Sequence, residues 1–263
     1  MSQADGSLGT VTVTREGALA YVRINRPEVH NALSLEVQAD LRRALEIVAD
    51  DDAVGAVIFT GAGDRAFAAG ADIARLGDYD RSTALSSSLQ RLFDDVESLG
   101  KPTIAAVNGL ALGGGCELAM ACDIRVASES AVLGLPETAL GIVPGAGGTQ
   151  RLSRLVGLGM SLDLILTGRF LTAAEAVQVG LVSRVVAPDA LLDECRAVAE
   201  AILARGPLAV RLARLVVRSG ADADLRTGQV IERLAQAVLY ETADKAEGVA
   251  AFLAKRPADF KGR

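Results

Sequence analysis

The sequence predicts an α/β protein, with a mixed core over residues 1–199 followed by a helical segment over residues 200–263. Three observations carry this expectation. Continuous apolar runs at residues 54–60 and 103–107 have the length and composition of buried strands. Glycine turns between strands and helical stretches repeat through the central part, the alternation expected of layered strands and helices. From about Asp189 onward the apolar spacing is helical almost to the end.

Taken in order, residues 11–14 and 20–24 alternate apolar and polar positions around Glu16-Gly17, the pattern of a hairpin. Ser34 opens a helix whose apolar positions Val37, Leu41, Leu45 and Val48 follow helical spacing. The strand at 54–60 ends at Gly61, and helical pattern returns over residues 83–99 until Pro102 breaks it. The strand at 103–107 leads into Gly113-Gly-Gly and a short helix, and residues 123–127 form another strand. Thr172-Ala-Ala-Glu175 is a capping box that starts a helix, Gly180 is placed to end it, and residues 181–186 give a last strand. The closing helical stretch is interrupted near Gly206-Pro207 and Gly220. Helices this apolar at the end of a chain build either an oligomer interface or a layer on their own core.

Composition narrows the function. The chain has 263 residues, enough to bury a large core; half are apolar, 3% are aromatic and there is no Trp. Its net charge of −6 leaves no electrostatic footprint for nucleic acid, and the arginines are scattered with no run of like charge. Cys116, Cys122 and Cys195 fit neither a disulfide framework nor a metal spacing. His30 is the only histidine and reads as a loop residue beside a turn, so a zinc site or a Ser-His-Asp triad has little to build on. Residues 1–9 lack the apolar core of a signal peptide, and no apolar stretch reaches the roughly 20 residues of a membrane helix. A cytoplasmic protein is expected.

Two glutamates carry the chemistry. Glu117 ends Asn108-Gly-Leu-Ala-Leu-Gly-Gly-Gly-Cys-Glu, and Glu137 ends Gly134-Leu-Pro-Glu, with Gly141-Ile-Val-Pro-Gly-Ala-Gly-Gly-Thr-Gln150 close behind. An apolar setting can keep one carboxyl protonated while its neighbour is ionised, which acid–base work on one water requires. The glycines before Glu117 expose backbone N–H groups at a helix N-terminus, where a carbonyl oxygen would be stabilised as it becomes an enolate. The plainer reading of those glycines is close helix–strand packing. The cluster at 145–150 lacks the Lys-Ser/Thr of a P-loop and fails the dinucleotide fingerprint. In Arg65-Ala-Phe-Ala-Ala-Gly-Ala-Asp-Ile, small residues at a strand end leave room for a ligand, and a backbone N–H there could pair with one near Gly114.

Ala66-Phe-Ala-Ala-Gly-Ala-Asp-Ile, Ala105-Ala-Val-Asn-Gly-Leu-Ala-Leu-Gly-Gly-Gly-Cys-Glu-Leu-Ala-Met-Ala-Cys-Asp and Gly141-Ile-Val-Pro-Gly-Ala-Gly-Gly-Thr-Gln-Arg-Leu resemble the enoyl-CoA hydratase/isomerase (crotonase) family. Leu166-Thr-Gly-Arg-Phe-Leu-Thr-Ala-Ala-Glu-Ala, Asn25-Arg-Pro-Glu-Val-His-Asn-Ala-Leu and Phe252-Leu-Ala-Lys-Arg extend the likeness over nearly the whole chain. The resemblance implies a crotonase-like (ClpP/crotonase) spiral of repeated β-β-α units with a C-terminal helical oligomerisation segment, assembled as a trimer or hexamer. It implies that the backbone N–H groups of Ala71 and Gly114 form an oxyanion hole and that Glu117 and Glu137 are the catalytic carboxylates. Ala69, Ala71, Asp72, Ile73 and Ala74 would line the acyl-CoA, Gly145 would sit near the catalytic water, and Lys255 would reach a CoA phosphate from a neighbouring subunit. Leu135 departs from the glutamine that some hydratases carry there.

The implied reaction is reversible syn hydration of a trans-2-enoyl-CoA to a 3-hydroxyacyl-CoA, in fatty acid or related acyl-CoA degradation. Coenzyme A arrives as part of the substrate, and no metal or other cofactor is expected. One alternative is a Δ3,Δ2-enoyl-CoA isomerase, which needs only the carboxylate at Glu137; retention of Glu117 favours the hydratase. An alternative of another class is a non-catalytic acyl-CoA-binding subunit, against which the intact carboxylates and glycines argue.

Overall fold

The computed structural model describes residues 6–72 and 77–263. Short β1 (Gly6–Ser7) leads into the hairpin of β2 (Val11–Glu16) and β3 (Leu19–Ile24), and α1 (Leu35–Asp50) follows. Ser34 caps α1 by accepting from Val37 N at 3.3 Å, and Val37, Leu41, Leu45 and Val48 are all buried, as the periodicity predicted. Next come β4 (Ala56–Gly61), β5 (Ala66–Ala68), α2 (Arg81–Ser86), α3 (Ser88–Glu97), β6 (Thr103–Val107), β7 (Leu110–Leu112) and α4 (Gly114–Ala121). Then follow β8 (Ile124–Ser128), β9 (Val132–Gly134), α5 (Gly148–Val156), α6 (Leu158–Thr167), β10 (Leu171–Thr172), α7 (Ala173–Gln178) and β11 (Arg184–Val186). Four helices close the chain: α8 (Leu191–Leu203), α9 (Pro207–Ala221), α10 (Leu225–Tyr240) and α11 (Ala243–Leu253).

The strands form two sheets. The larger runs β1-β2-β3-β4-β6-β8-β11, antiparallel through β3 and parallel from there on; the smaller runs β10-β9-β7-β5. The pairs β4/β5, β6/β7 and β8/β9 each give one strand to each sheet. Each such pair is one turn of a spiral, with Phe59 opposite Ala105 in the large sheet and Leu110 opposite Val132 in the small one. This is the repeated β-β-α spiral that the family resemblance implied.

Strand alternation divides the large sheet between two apolar layers. Val57, Phe59, Ala105 and Val107 enter the main core, which includes α1, α3 and α4. Ala56, Ile58, Ile104, Ala106 and Val126 face the other way, onto Leu191, Cys195, Val198 and Ala199 of α8. Helix α8 therefore covers the sheet's outer face, and it runs across residue 199, where the sequence suggested the core would end. In contrast, α9 and α10 bury no residue fully. Gly220 lies inside the last turn of α9 and packs on α10, where a Cβ on Gly228 would come within 3.3 Å of its Cα.

Other boundaries shift for local reasons. The helix predicted over 83–99 is two helices broken at Ser87, within a run of serines that favour caps and turns over helix interiors. Asp80 caps the first of them through Thr83 N at 2.9 Å. The strand predicted over 181–186 forms only at 184–186, because the N–H groups of Leu181 and Val182 are taken by the Ala176 carbonyl at the end of α7. Thr172 and Glu175 make the predicted capping box. A further break at Thr242, which caps α11, escaped the periodicity. No helix among the described residues is long and apolar enough to cross a membrane.

Candidate active site

Glu117 sits in the first turn of α4 and is 2% exposed. Helix α4 starts where it does because Gly113, at φ 52° and ψ −123°, takes a backbone conformation open essentially to glycine. Glycine is needed for space as well. A Cβ on Gly113 would lie 2.9 Å from Glu137 Oε1, and one on Gly115 would lie 1.8 Å from the Ala68 carbonyl oxygen of β5. The bare segment thus lets α4 lie against β5 while Glu137 lies against the turn that precedes the helix.

The two carboxylates occupy unlike environments. Glu117 Oε1 accepts from Ala146 N and Gly148 N, both at 2.8 Å, in the glycine-rich segment that leads into α5. Glu137 opens the 3-10 turn Glu137–Leu140, and its Oε2 is buried with no hydrogen-bond partner among the described residues. Burial pushes both carboxyls up from the ordinary range, Glu137 to about 7. For Glu117 the two backbone donors, and then the Arg151 cation, pull the other way. For Glu137 the negative charge of Glu117 adds to the rise, which places the two within electrostatic reach.

Beside them, Gly70, Ala71 and Gly114 meet. A Cβ on Gly70 would lie 3.6 Å from Gly114 N, and one on Gly114 would lie 3.7 Å from Ala71 N. Ala71 is held by its bridge to Leu33, whose N–H donates to the Gly70 carbonyl at 2.8 Å. Among the described residues, neither the Ala71 nor the Gly114 N–H donates to another group of the chain. Two free donors on adjacent backbone segments, next to a carboxyl pair, can receive one carbonyl oxygen.

The remaining residues singled out from sequence divide. Ala69 is partly buried and donates its N–H to the His30 carbonyl at 3.0 Å; Asp72 is partly buried next to Ala71. Ile73 and Ala74 lie outside the described residues. Gly145 directly precedes the Ala146 donor, and a Cβ there would make an ordinary contact with the Val143 carbonyl oxygen at 3.7 Å. Lys255 follows α11 in a left-handed conformation, φ 51°, exposed, and no hydrogen bond or ion pair among the described residues joins its side chain to the glutamates. Leu135 is buried in the main core.

Sequence reasoning passed over the groups that hold the site from behind. Asn31, fully buried, donates to the Ala62 and Ala66 carbonyls at 3.0 and 2.7 Å and accepts from Arg26 N. Asn108 grips the same turn through Gly61 and Gly63. Arg151 joins the glycine segment to α3, and Asp123 joins Thr103 to Arg214 and Arg218 of α9. Both asparagines and Arg151 stand inside the motifs that carried the resemblance, which was the signal available. A cavity of about 860 Å³ opens elsewhere, between α8, α9 and the start of β8. Several of its arginines are engaged: Arg214 and Arg218 with Asp123, Arg154 with Asp222, Arg184 with Glu194, and Arg125 with the Cys122 and Leu181 carbonyls.

The enoyl-CoA hydratase from Bacillus anthracis has a solved structure that superposes on this chain with a TM-score of 0.93 at 42% identity, covering 97% of this chain and all of that one. A second from Geobacillus kaustophilus superposes at 0.92 with 41% identity, over 97% of this chain and 98% of that one. The architecture is therefore the crotonase fold. A family model described as Enoyl-CoA hydratase/isomerase matches residues 14–263, and the chain belongs to that family. It is 45% identical to a crotonyl-CoA hydratase of Syntrophomonas wolfei over 95% of this chain and 97% of that protein. It is 42% identical to a short-chain-enoyl-CoA hydratase of Clostridium acetobutylicum over 97% and 99%.

Proposed function

We propose that the chain catalyses the reversible syn addition of water to a trans-2-enoyl-CoA, giving a 3-hydroxyacyl-CoA. The observation that carries this reading is the unlike pair: Glu117, whose oxygen accepts two N–H bonds, and Glu137, whose buried oxygen has no partner. The donors favour the ionised form of Glu117 and the isolation favours the protonated form of Glu137, so one proton is shared by two carboxyls with separate tasks.

In the hydration direction the thioester oxygen lies between the Ala71 and Gly114 N–H groups. Glu117 takes a proton from the water as its oxygen bonds to C3, and the C2=C3 electrons move toward the thioester oxygen. The enolate is held by the two N–H groups until Glu137 gives its proton to C2. The pair then holds the proton on Glu117 in place of Glu137, and its passage back resets the site. Dehydration runs the same steps in reverse. Each oxyanion donor is worth on the order of 3 kcal/mol of the barrier. The reaction needs no cofactor beyond the CoA carried by the substrate.

The reading extends to assembly and setting. Residues 1–199 carry the catalytic groups, and residues 200–263 supply the contacts of a trimer or of paired trimers in the cytoplasm. In support, Val217, Leu234 and Phe252 on α9, α10 and α11 are more than half exposed. Two relatives are named for crotonyl-CoA and for short-chain enoyl-CoA, so crotonyl-CoA is the first substrate to test. With it, Glu137→Gln is expected to lower kcat by about 100-fold or more while a non-reactive CoA thioester still binds. Loss of the enoyl-thioester absorbance at the parent's rate in that variant would refute the assignment.

A further inference from the structure

We propose that Arg151 is a positioning residue for this reaction, its guanidinium holding the Ala146–Gly148 backbone so that two N–H groups meet Glu117. The inference rests on the hydration reading, in which Glu117 must stay ionised beside the attacking water.

Arg151 stands one turn into α5 and folds back over the helix start. Its Nη1 donates to the Ala146 carbonyl at 2.9 Å, while the N–H of that same residue donates to Glu117 Oε1. The carbonyl it grips lies between the two N–H groups that reach Glu117, those of Ala146 and Gly148. The guanidinium is itself fixed from α3: Nε donates to Glu97 Oε2 at 2.9 Å, and Nη2 to Glu97 Oε2 and Asp94 Oδ1 at 2.6 and 2.7 Å. Gly147 is bare because this clamp occupies its space. It has φ 95°, and a Cβ there would fall 2.2 Å from Arg151 Nη1.

An arginine that only stitched α5 to α3 would have no need of the Ala146 carbonyl or of a glycine beneath it. The Arg151 side chain is 12% exposed, so this ion pair is less screened than a surface one. The fork of N–H donors explains the residue type: one edge serves the carboxylates and another the carbonyl, which a point-charge ammonium cannot do at once. Arg151 touches no reacting atom. It acts by keeping the donors of Glu117 in register, and its charge also favours the ionised carboxyl.

The test is steady-state kinetics with crotonyl-CoA across pH on Arg151→Gln, Arg151→Lys and Glu117→Gln, with the affinity of a non-reactive CoA thioester measured in parallel. Arg151→Gln is expected to lower kcat on the order of ten- to a hundredfold, as slight misplacement of a catalytic group does. KM and thioester affinity should stay near the parent's. The acid limb of kcat/KM should move to higher pH, since a Glu117 with fewer donors holds its proton more tightly. Arg151→Lys should restore most of the acid limb and part of kcat. If Arg151→Gln proves unstable, Glu97→Gln loosens the same guanidinium from α3, and a shift of the acid limb in the same direction is expected. Normal kcat and an unmoved pH profile in the folded variants, with only the melting temperature lowered, would reduce Arg151 to a structural tie. Glu117→Gln separates the two ideas: full turnover there removes the hydration reading itself, whereas an inactive Glu117→Gln beside a normal Arg151→Gln removes only the role of Arg151.

Discussion

Glu137 is distinguished by what surrounds its carboxyl: a bare Gly113, a nearby Glu117 charge and no donor for Oε2. With its pKa raised to about 7, Glu137 holds its proton below that pH, and the proposed mechanism needs that proton on the pair in both directions of the reaction. The kcat/KM of hydration is therefore expected to fall as pH rises through about 7, and that of dehydration to fall in parallel; rate measurements in both directions check this. The same shift has a sign for stability. A carboxyl with its folded pKa above its unfolded one favours the fold at low pH and loses that contribution as pH rises toward 7. Melting curves should accordingly show Glu137→Gln gaining on the parent between pH 5 and 8. Both glutamates were legible because each ends a glycine-marked motif. Arg151 was not, since its partners Glu97 and Asp94 lie 54 and 57 positions away and meet it only through packing.

Among the elements, the site depends on how closely α4 approaches β5. Gly115 permits that approach, and Gly115→Ala would drive a Cβ into the Ala68 carbonyl. The expected result is destabilisation by about 1–3 kcal/mol or more, together with lost activity, since Gly114 and Glu117 ride on the displaced helix; denaturant melts and turnover report both. Caps and strands of this core were readable because Ser34, Thr172 and Glu175 act on their own neighbours and buried strands are continuously apolar. The break at Ser87 was hidden because apolar periodicity runs through the serine run that makes it, and the shortened β11 because the Ala176 carbonyl takes the Leu181 and Val182 N–H groups once the chain has folded. The periodicity of residues 191–203 revealed an apolar helical face without revealing that the face lies on the large sheet.

For the molecule as a whole, the spiral followed from family likeness and the apolar face of the last helices from composition. The proposed assembly makes that face a subunit contact, so Leu234→Glu should shift sedimentation from trimer toward monomer, and an unchanged value would place the contact elsewhere. The order of strands carries a further consequence, for folding kinetics. Among the described strands of the large sheet, β1, β2 and β3 follow one another as antiparallel neighbours joined by short turns; beyond them Val57 pairs with Thr103 and Val126 with Arg184. Parallel neighbours so distant in sequence cannot zip from a hairpin, because loop closure must come before the contacts that reward it. The β1–β2–β3 stretch is therefore expected to pair early in the large sheet, and Glu117 and Glu137 are expected to come together late, after the turns bearing α4 and α5 have stacked.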